Sequence, residues 1–293
     1  MIRLDAATVL LQWATGGLFF LWVTTRRREV GIGYGWLLRG VYGGLAAVSV
    51  LAGRMLEPSL VRDGCALVMT AATFAALAVS VVRRKAGVAG ERARKQRRSE
   101  RVRAMVGERG PGTKESKAAK PTDAGRNALE FPPVLDVLAP VVGVVGLVAA
   151  GIDAGGPDVL AVVRTVVGAA FLGAVSDAML LGHWYLVQPG LGRAPLLDLV
   201  RWLTVVWPLE IAALLWPTGM LSVIRGDIDD GWNGVLGWMW VACAITTLVL
   251  CLVTKAALKE RAYAAVMAAT GLLYLAILTA FGTDLVARAV LSG

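Results

Sequence analysis

One histidine, His183, and three cysteines are all the imidazole and thiol ligands that 293 residues offer. A closed zinc site draws on four such ligands, usually in close pairs. Cys65, Cys243 and Cys251 form no CxxC. Two of them, Cys243 and Cys251, stand in one apolar run, where cysteine behaves as a small hydrophobe. The sequence therefore speaks against a zinc site. It also lacks a GxxxxGK[ST] phosphate loop, a GxSxG elbow and an HExxH helix, and an intramembrane enzyme is left without a nucleophile–base set. The sequence leans away from an enzyme.

What is present is apolar. Hydrophobic residues make up 57% of the chain and mean hydropathy is +0.65, too high for one or two soluble domains. A bilayer core about 30 Å thick takes roughly 20 apolar residues in helix. Backbone groups in lipid must pair within their own segment, so runs of that length are helices. The hydropathy pattern predicts eight of them, at Ala7–Thr24, Trp36–Ala52, Cys65–Val82, Val134–Ala150, Val159–Leu186, Pro195–Trp216, Val235–Val253 and Tyr263–Val290. The expected fold is an all-α polytopic transmembrane bundle. Residues 1–82 carry helices one to three, 83–130 a basic loop, and 131–293 helices four to eight. Gly40 and Gly44 form a GxxxG on the second helix, a pattern that permits close helix approach.

The net charge of +9 is localised. From Arg83 to Arg126 there are 15 Lys/Arg against 5 Asp/Glu, which leaves 15 against 16 for the rest of the chain. By the positive-inside rule this loop is cytoplasmic, as are the flanks Arg26-Arg27-Arg28 and Lys255, Lys259 and Arg261. Both termini are then extracytoplasmic, and the expected location is the cell inner membrane. The first apolar run is followed by its charge and not preceded by it, so it reads as an uncleaved helix. From Gly107 the loop has the composition of a disordered segment. Its charge suits anionic lipid, worth on the order of 1 kcal/mol per basic residue at such a surface. No aromatic side chains interleave with the charge for base stacking, so no nucleic-acid partner is expected.

Within the spans the notable polar groups are Asp177, His183, Asp198, Arg201 and Glu210. Such groups are costly in lipid and are functional candidates by default. Asp198 and Arg201, three apart, can pair on one helix face. Glu210 follows Pro208, which removes a helix hydrogen bond and is expected to kink or break the sixth helix. Interrupted helices with an acidic group at depth recur in transporter ion sites. Asp284 and Arg288, four apart, read as an interfacial pair, and Arg39 as a side chain that snorkels to the cytoplasmic face.

His183 admits three readings: an interfacial histidine bonded to a backbone carbonyl, an axial haem ligand, or part of an anion or carbonyl site. The last would use Gln188, Arg193, Arg201 and the amides that open the sixth helix, where free N–H groups favour negative charge. A quinone head group or a lipid phosphate fits that description. Two functional expectations follow. The first is a non-enzymatic binding or accessory subunit that holds quinone, haem or anionic lipid with His183, Gln188, Arg193 and Arg201. Such a subunit would have the bilayer and a membrane-protein partner or second copy around it. The alternative is a proton-coupled transporter that uses Asp177 and Glu210.

Overall fold

The computed structural model describes residues 4–27, 29–83, 99–100, 102, 131–154, 158–188, 191–216, 219–260 and 262–292. Among these, 85% are helical and none is in a strand. The helices are α1 (Ala6–Thr25), α2 (Ile32–Met55), α3 (Leu60–Val82), α4 (Leu135–Asp153), α5 (Asp158–Val187), α6 (Ala194–Leu215), α7 (Met220–Arg225), α8 (Val235–Ala257) and α9 (Tyr263–Leu291). Seven of them are long and apolar enough to cross a membrane. The other long helix, α6, has 22 residues but carries Asp198, Arg201 and Glu210. The basic loop and its expected disorder lie almost wholly outside the described residues.

Local chemistry sets the helix boundaries. Asp5 opens α1 by accepting from the Ala7 and Thr8 amides at 3.1 and 3.0 Å, which satisfies donors that have no partner within the helix. Pro195 sits in the first turn of α6. Several helices outrun their apolar cores. The second begins at Ile32 and the third at Leu60, four and five residues ahead of the hydropathy boundary. Hydropathy ends where polar side chains begin, whereas the hydrogen-bond ladder runs on until a turn stops it. Of the kink or break expected at Pro208, the break does not occur. The α6 helix continues to Leu215, and the proline is tolerated within it.

The helices form two four-membered rings threaded in the same order. In the first, α1 packs on α2, α2 on α3, α3 on α4 and α4 back on α1. In the second, α5 packs on α6, α6 on α8, α8 on α9 and α9 back on α5. The rings meet chiefly where α1 lies along α5, with α4 also against α5. The close approach is there, and not at the expected GxxxG. A Cβ on Gly16 would collide with the Ala169 carbonyl, and one on Gly173 with the Gly16 backbone. Gly40 and Gly44 have no other group within reach of a Cβ. The reason is positional: Gly40 faces outward on α2, while Gly16 is buried on the innermost face of α1. The segments Gly16–Trp22 and Gly168–Val175, faintly alike in sequence, thus meet at the seam between the rings.

Both ends of the chain come to one end of the bundle. Asp5 of α1 and Arg288 of α9 line the same cavity there, with the α2–α3 turn and the end of α4. We call this the Asp5 end. The α1–α2 turn, the start of α6 and the α8–α9 turn lie at the opposite end, where Arg27 meets Asp198 and Arg193 meets the Leu258 carbonyl.

Candidate functional site

Five polar residues meet in the interior where α1, α5, α6 and α9 come together. Arg288 donates from Nε to Asp284 Oδ2 at 2.7 Å, one helical turn away, and from Nη2 to Gln12 Oε1 at 2.5 Å across the seam. Gln12 Nε2 lies 3.4 Å from Asp284 Oδ1. Gly168 of α5 makes room for this contact, because a Cβ there would fall 2.9 Å from the same carboxylate oxygen. Asp284 and Arg288 are each about 1% exposed, so the pair expected at the interface is instead enclosed. The sequence showed the i,i+4 spacing but not the helix that covers it.

Glu210 belongs to this cluster. It is fully buried on α6, and the charges of Asp284, Arg288 and Arg164 act on it. Neither of its carboxyl oxygens has a hydrogen-bond partner among the described residues. Arg164, 2% exposed, is turned toward the end of α6, donating to the Ala213 carbonyl at 2.8 Å and the Trp216 carbonyl at 3.1 Å. It supplies the last carbonyls of that helix with donors. The sequence reading passed over Arg164, although a lone arginine about 9 Å (six residues) into an apolar span was the available signal.

Asp177 forms a second cluster on the same seam. Its Oδ1 accepts from Tyr42 Oη at 2.5 Å, the Tyr34 hydroxyl lies 3.4 Å from its carbonyl, and its Oδ2 is without a partner among the described residues. Asp177, Tyr42 and Tyr34 are completely buried. Asp177 follows Gly168 by nine residues, so it stands on the order of 13 Å further along α5 than the Gln12–Asp284 contact. The Gly16–Gly173 crossing lies between the two levels. Asp177 and Glu210 therefore both point into the bundle, at separate heights.

The residues expected to share a ligand are each engaged elsewhere. His183 is exposed near the end of α5, with Nδ1 3.0 Å from the Tyr274 hydroxyl of α9 and the two rings edge to face. Arg193 donates to the carbonyls of Leu258, Glu260 and Ala262, which ties the start of α6 to the α8–α9 turn. Arg201 bonds Asp198 at 3.2 Å, as the spacing predicted, and Asp198 also takes Arg27 at 2.5 Å. Gln188 lies against the α1–α2 turn, close to Gly31. Arg39 is another departure from expectation. It is 3% exposed and forms a forked pair with Asp136 of α4, at 2.8 and 2.7 Å, in place of reaching for solvent.

A cavity of about 690 Å³ opens at the Asp5 end between the rings. Its walls include Asp5, Ser59, Arg62 and Asp153 from the first ring and Thr165 and Arg288 from the second. Among the described residues, no three His, Cys, Asp or Glu side chains stand close enough to hold a metal ion.

The length and composition of seven helices make this a multi-pass membrane protein. Set against models of known families, against characterised proteins and against solved structures, the chain matches none.

Proposed function

We propose that the protein moves a solute or ion across the cell inner membrane in exchange with protons, and that Glu210 and Asp177 are the groups that carry them. The observation behind this reading is the state of Glu210: fully buried, with no hydrogen-bond partner on either oxygen among the described residues, beside Arg164, Asp284 and Arg288. A buried carboxyl with no donors is costly as a purely structural element, because its polar atoms lose water and gain nothing. A carboxyl that loads and unloads a proton has a use for such a place.

The seam supports the same reading. Gln12 reaches across it to Asp284 and Arg288, and Tyr42 reaches across it to Asp177. Transporters built from parallel repeats hold their substrates where the repeats meet. In this proposal α6 is the eighth span. Both termini are extracytoplasmic, and the 83–126 segment rests on anionic lipid at the cytoplasmic face. That assignment puts Arg26, Arg27, Arg83, Lys255 and Lys259 on the cytoplasmic side.

The test needs no knowledge of the solute. Protein reconstituted on a solid-supported membrane and given a pH jump should produce a transient charge displacement. Glu210→Gln should remove most of it, and Asp177→Asn should reduce it. Wild-type transients from the folded double variant Glu210→Gln/Asp177→Asn would refute the proposal.

A second reading rests on the exposed His183–Tyr274 pair, 3.0 Å apart on the outer surface of α5 and α9. An imidazole and a phenol side by side at a lipid-facing surface suit the carbonyl of a quinone, and an anionic lipid phosphate would find a donor there too. Haem would use His183 as an axial ligand. Absorbance and mass spectrometry of gently purified protein test this directly, since the bound molecule should disappear in His183→Ala.

A further inference from the structure

The cavity at the Asp5 end reaches Arg288 of the Glu210 cluster. Arg288 is in its wall although the side chain is only 1% exposed, and Thr165 is in its wall at 2% exposed. These two are the least exposed of the lining residues. Thr165 shares a face of α5 with Gly168, three residues on, where Gln12 and Asp284 meet. Arg288 bonds to both Gln12 and Asp284. Arg288 thus links the cavity wall to the Gln12–Asp284 contact, and its charge acts on Glu210.

The cavity is polar and large enough for water. Its volume of about 690 Å³ is far above the ~10–15 Å³ that one ordered water requires, and hydroxyl, carboxylate and guanidinium groups line it. Its charge is mixed, with Asp5, Glu57 and Asp153 against Arg62 and Arg288, so the walls select no single sign of solute. The other end of the seam is bridged by side chains among the described residues. The Arg27–Asp198 pair crosses it at 2.5 Å, Tyr34 packs on Trp184 with ring centres 6.0 Å apart, and the Gly16–Gly173 crossing fills the space beneath.

We propose that this cavity is the aqueous port through which Glu210 exchanges protons, from the side that holds both termini, with Arg288 as the gate at its floor. The inference rests on the proton-linked reading of Glu210 and adds to it a route and a side. The groups facing Glu210 are Arg164 of α5 and Asp284 and Arg288 of α9. A proton entering from cavity water passes Arg288 and Asp284 to reach the carboxyl. Movement of the Arg288 side chain away from Gln12 opens the last step.

The test uses the full chain with Cys65, Cys243 and Cys251 replaced by alanine, reconstituted in liposomes sorted for one orientation. Ser59→Cys marks the mouth, Thr165→Cys the floor, Ala150→Cys the facing wall, and Thr247→Cys the closed interior. The probe is a membrane-impermeant methanethiosulfonate ammonium reagent, and infrared difference spectra follow the neutral-carboxyl band that Glu210→Gln removes. Thr165→Cys should react from the terminus side, more slowly than Ser59→Cys, while Thr247→Cys stays unreactive. The adduct at Thr165→Cys should slow the band's response to a pH jump by about an order of magnitude, because a bulky group displaces the water that carries the proton. If Thr165→Cys and Ala150→Cys are both inert from that side, the port is refuted. An adduct that leaves the response unchanged refutes the port but keeps the Glu210 reading. The absence of any titrating band lost in Glu210→Gln removes that reading and the port with it.

Discussion

Replacing Asp136 with alanine isolates the energetics of a charge pair buried in a membrane bundle. Arg39 donates two parallel bonds to Asp136, at 2.8 and 2.7 Å, and both side chains are 3% exposed. Thr25 adds a 3.3 Å contact to the same carboxylate. In Asp136→Ala the guanidinium keeps, among the described residues, Ser80 at 3.5 Å and the face of Phe131 at 4.6 Å. Removing one partner of an enclosed pair costs ~3–5 kcal/mol, since the remaining charge stays in the low dielectric without compensation. The Phe131 contact is present before and after, so it offsets none of this. At a few degrees per kcal/mol, the apparent melting temperature should fall on the order of 10 °C. The companion variant Arg39→Met/Asp136→Leu removes both charges and should recover most of the loss, because apolar replacements for buried pairs are often neutral or better. Fluorescence-detected thermal unfolding in a mild detergent measures all three proteins. A cost for Asp136→Ala below about 1 kcal/mol, or a double variant less stable than the single one, would show that Arg39 reaches water.

Other expectations concern packing and the loop before α8. Gly16→Val should cost ~3 kcal/mol or more, because the obstruction is the Ala169 backbone and cannot rotate aside. Gly40→Val and Gly44→Val should change stability by less than about 1 kcal/mol, which the same unfolding assay reads. Asp230 accepts from the amides of Trp232, Gly234, Leu236 and Gly237 at 2.8–3.2 Å. Desolvation raises its pKa, but those four donors outweigh it and hold the carboxyl below the usual aspartate value. Its contribution to the loop is therefore complete above the ordinary value of about 3.9 and is lost as pH falls below it through the folded-state value. Amide exchange at Gly234, Leu236 and Gly237 should quicken over that window relative to the pH trend of free amides. In Asp230→Ala it should be fast at every pH.

Much of the architecture is legible in the sequence, because apolar length alone places a helix in lipid. Every expected span coincides with a helix of the bundle, and the short α7 is the element that hydropathy misses. Pairs within one helix are legible too: Asp198–Arg201 follows from spacing, and so does the existence of Asp284–Arg288. What spacing cannot supply is the partner from another helix. Gln12 lies 272 residues from Asp284, Tyr42 lies 135 from Asp177, and Asp136 lies 97 from Arg39. Arg39 lies near the expected cytoplasmic end of its helix, and position alone points it to the interface. Arg193 suggested an anion site because the carbonyls it holds belong to a turn more than 60 residues later. Gly16 and Gly173 fit no pattern within either helix, since each needs the other to explain it. Pro208, whose local signal is a kink or a break, stands inside a helix that does not break.

Potential-driven proton uptake by proteoliposomes tests the central claim most directly. A potassium–valinomycin potential, negative inside, is imposed on sealed vesicles that contain a pH-sensitive dye. The account predicts that wild-type protein acidifies the lumen when a crude cytosolic extract containing its solute is enclosed in the vesicles. Folded Glu210→Gln vesicles should show only the rate of protein-free liposomes. Uptake by Glu210→Gln at the wild-type rate would contradict the account.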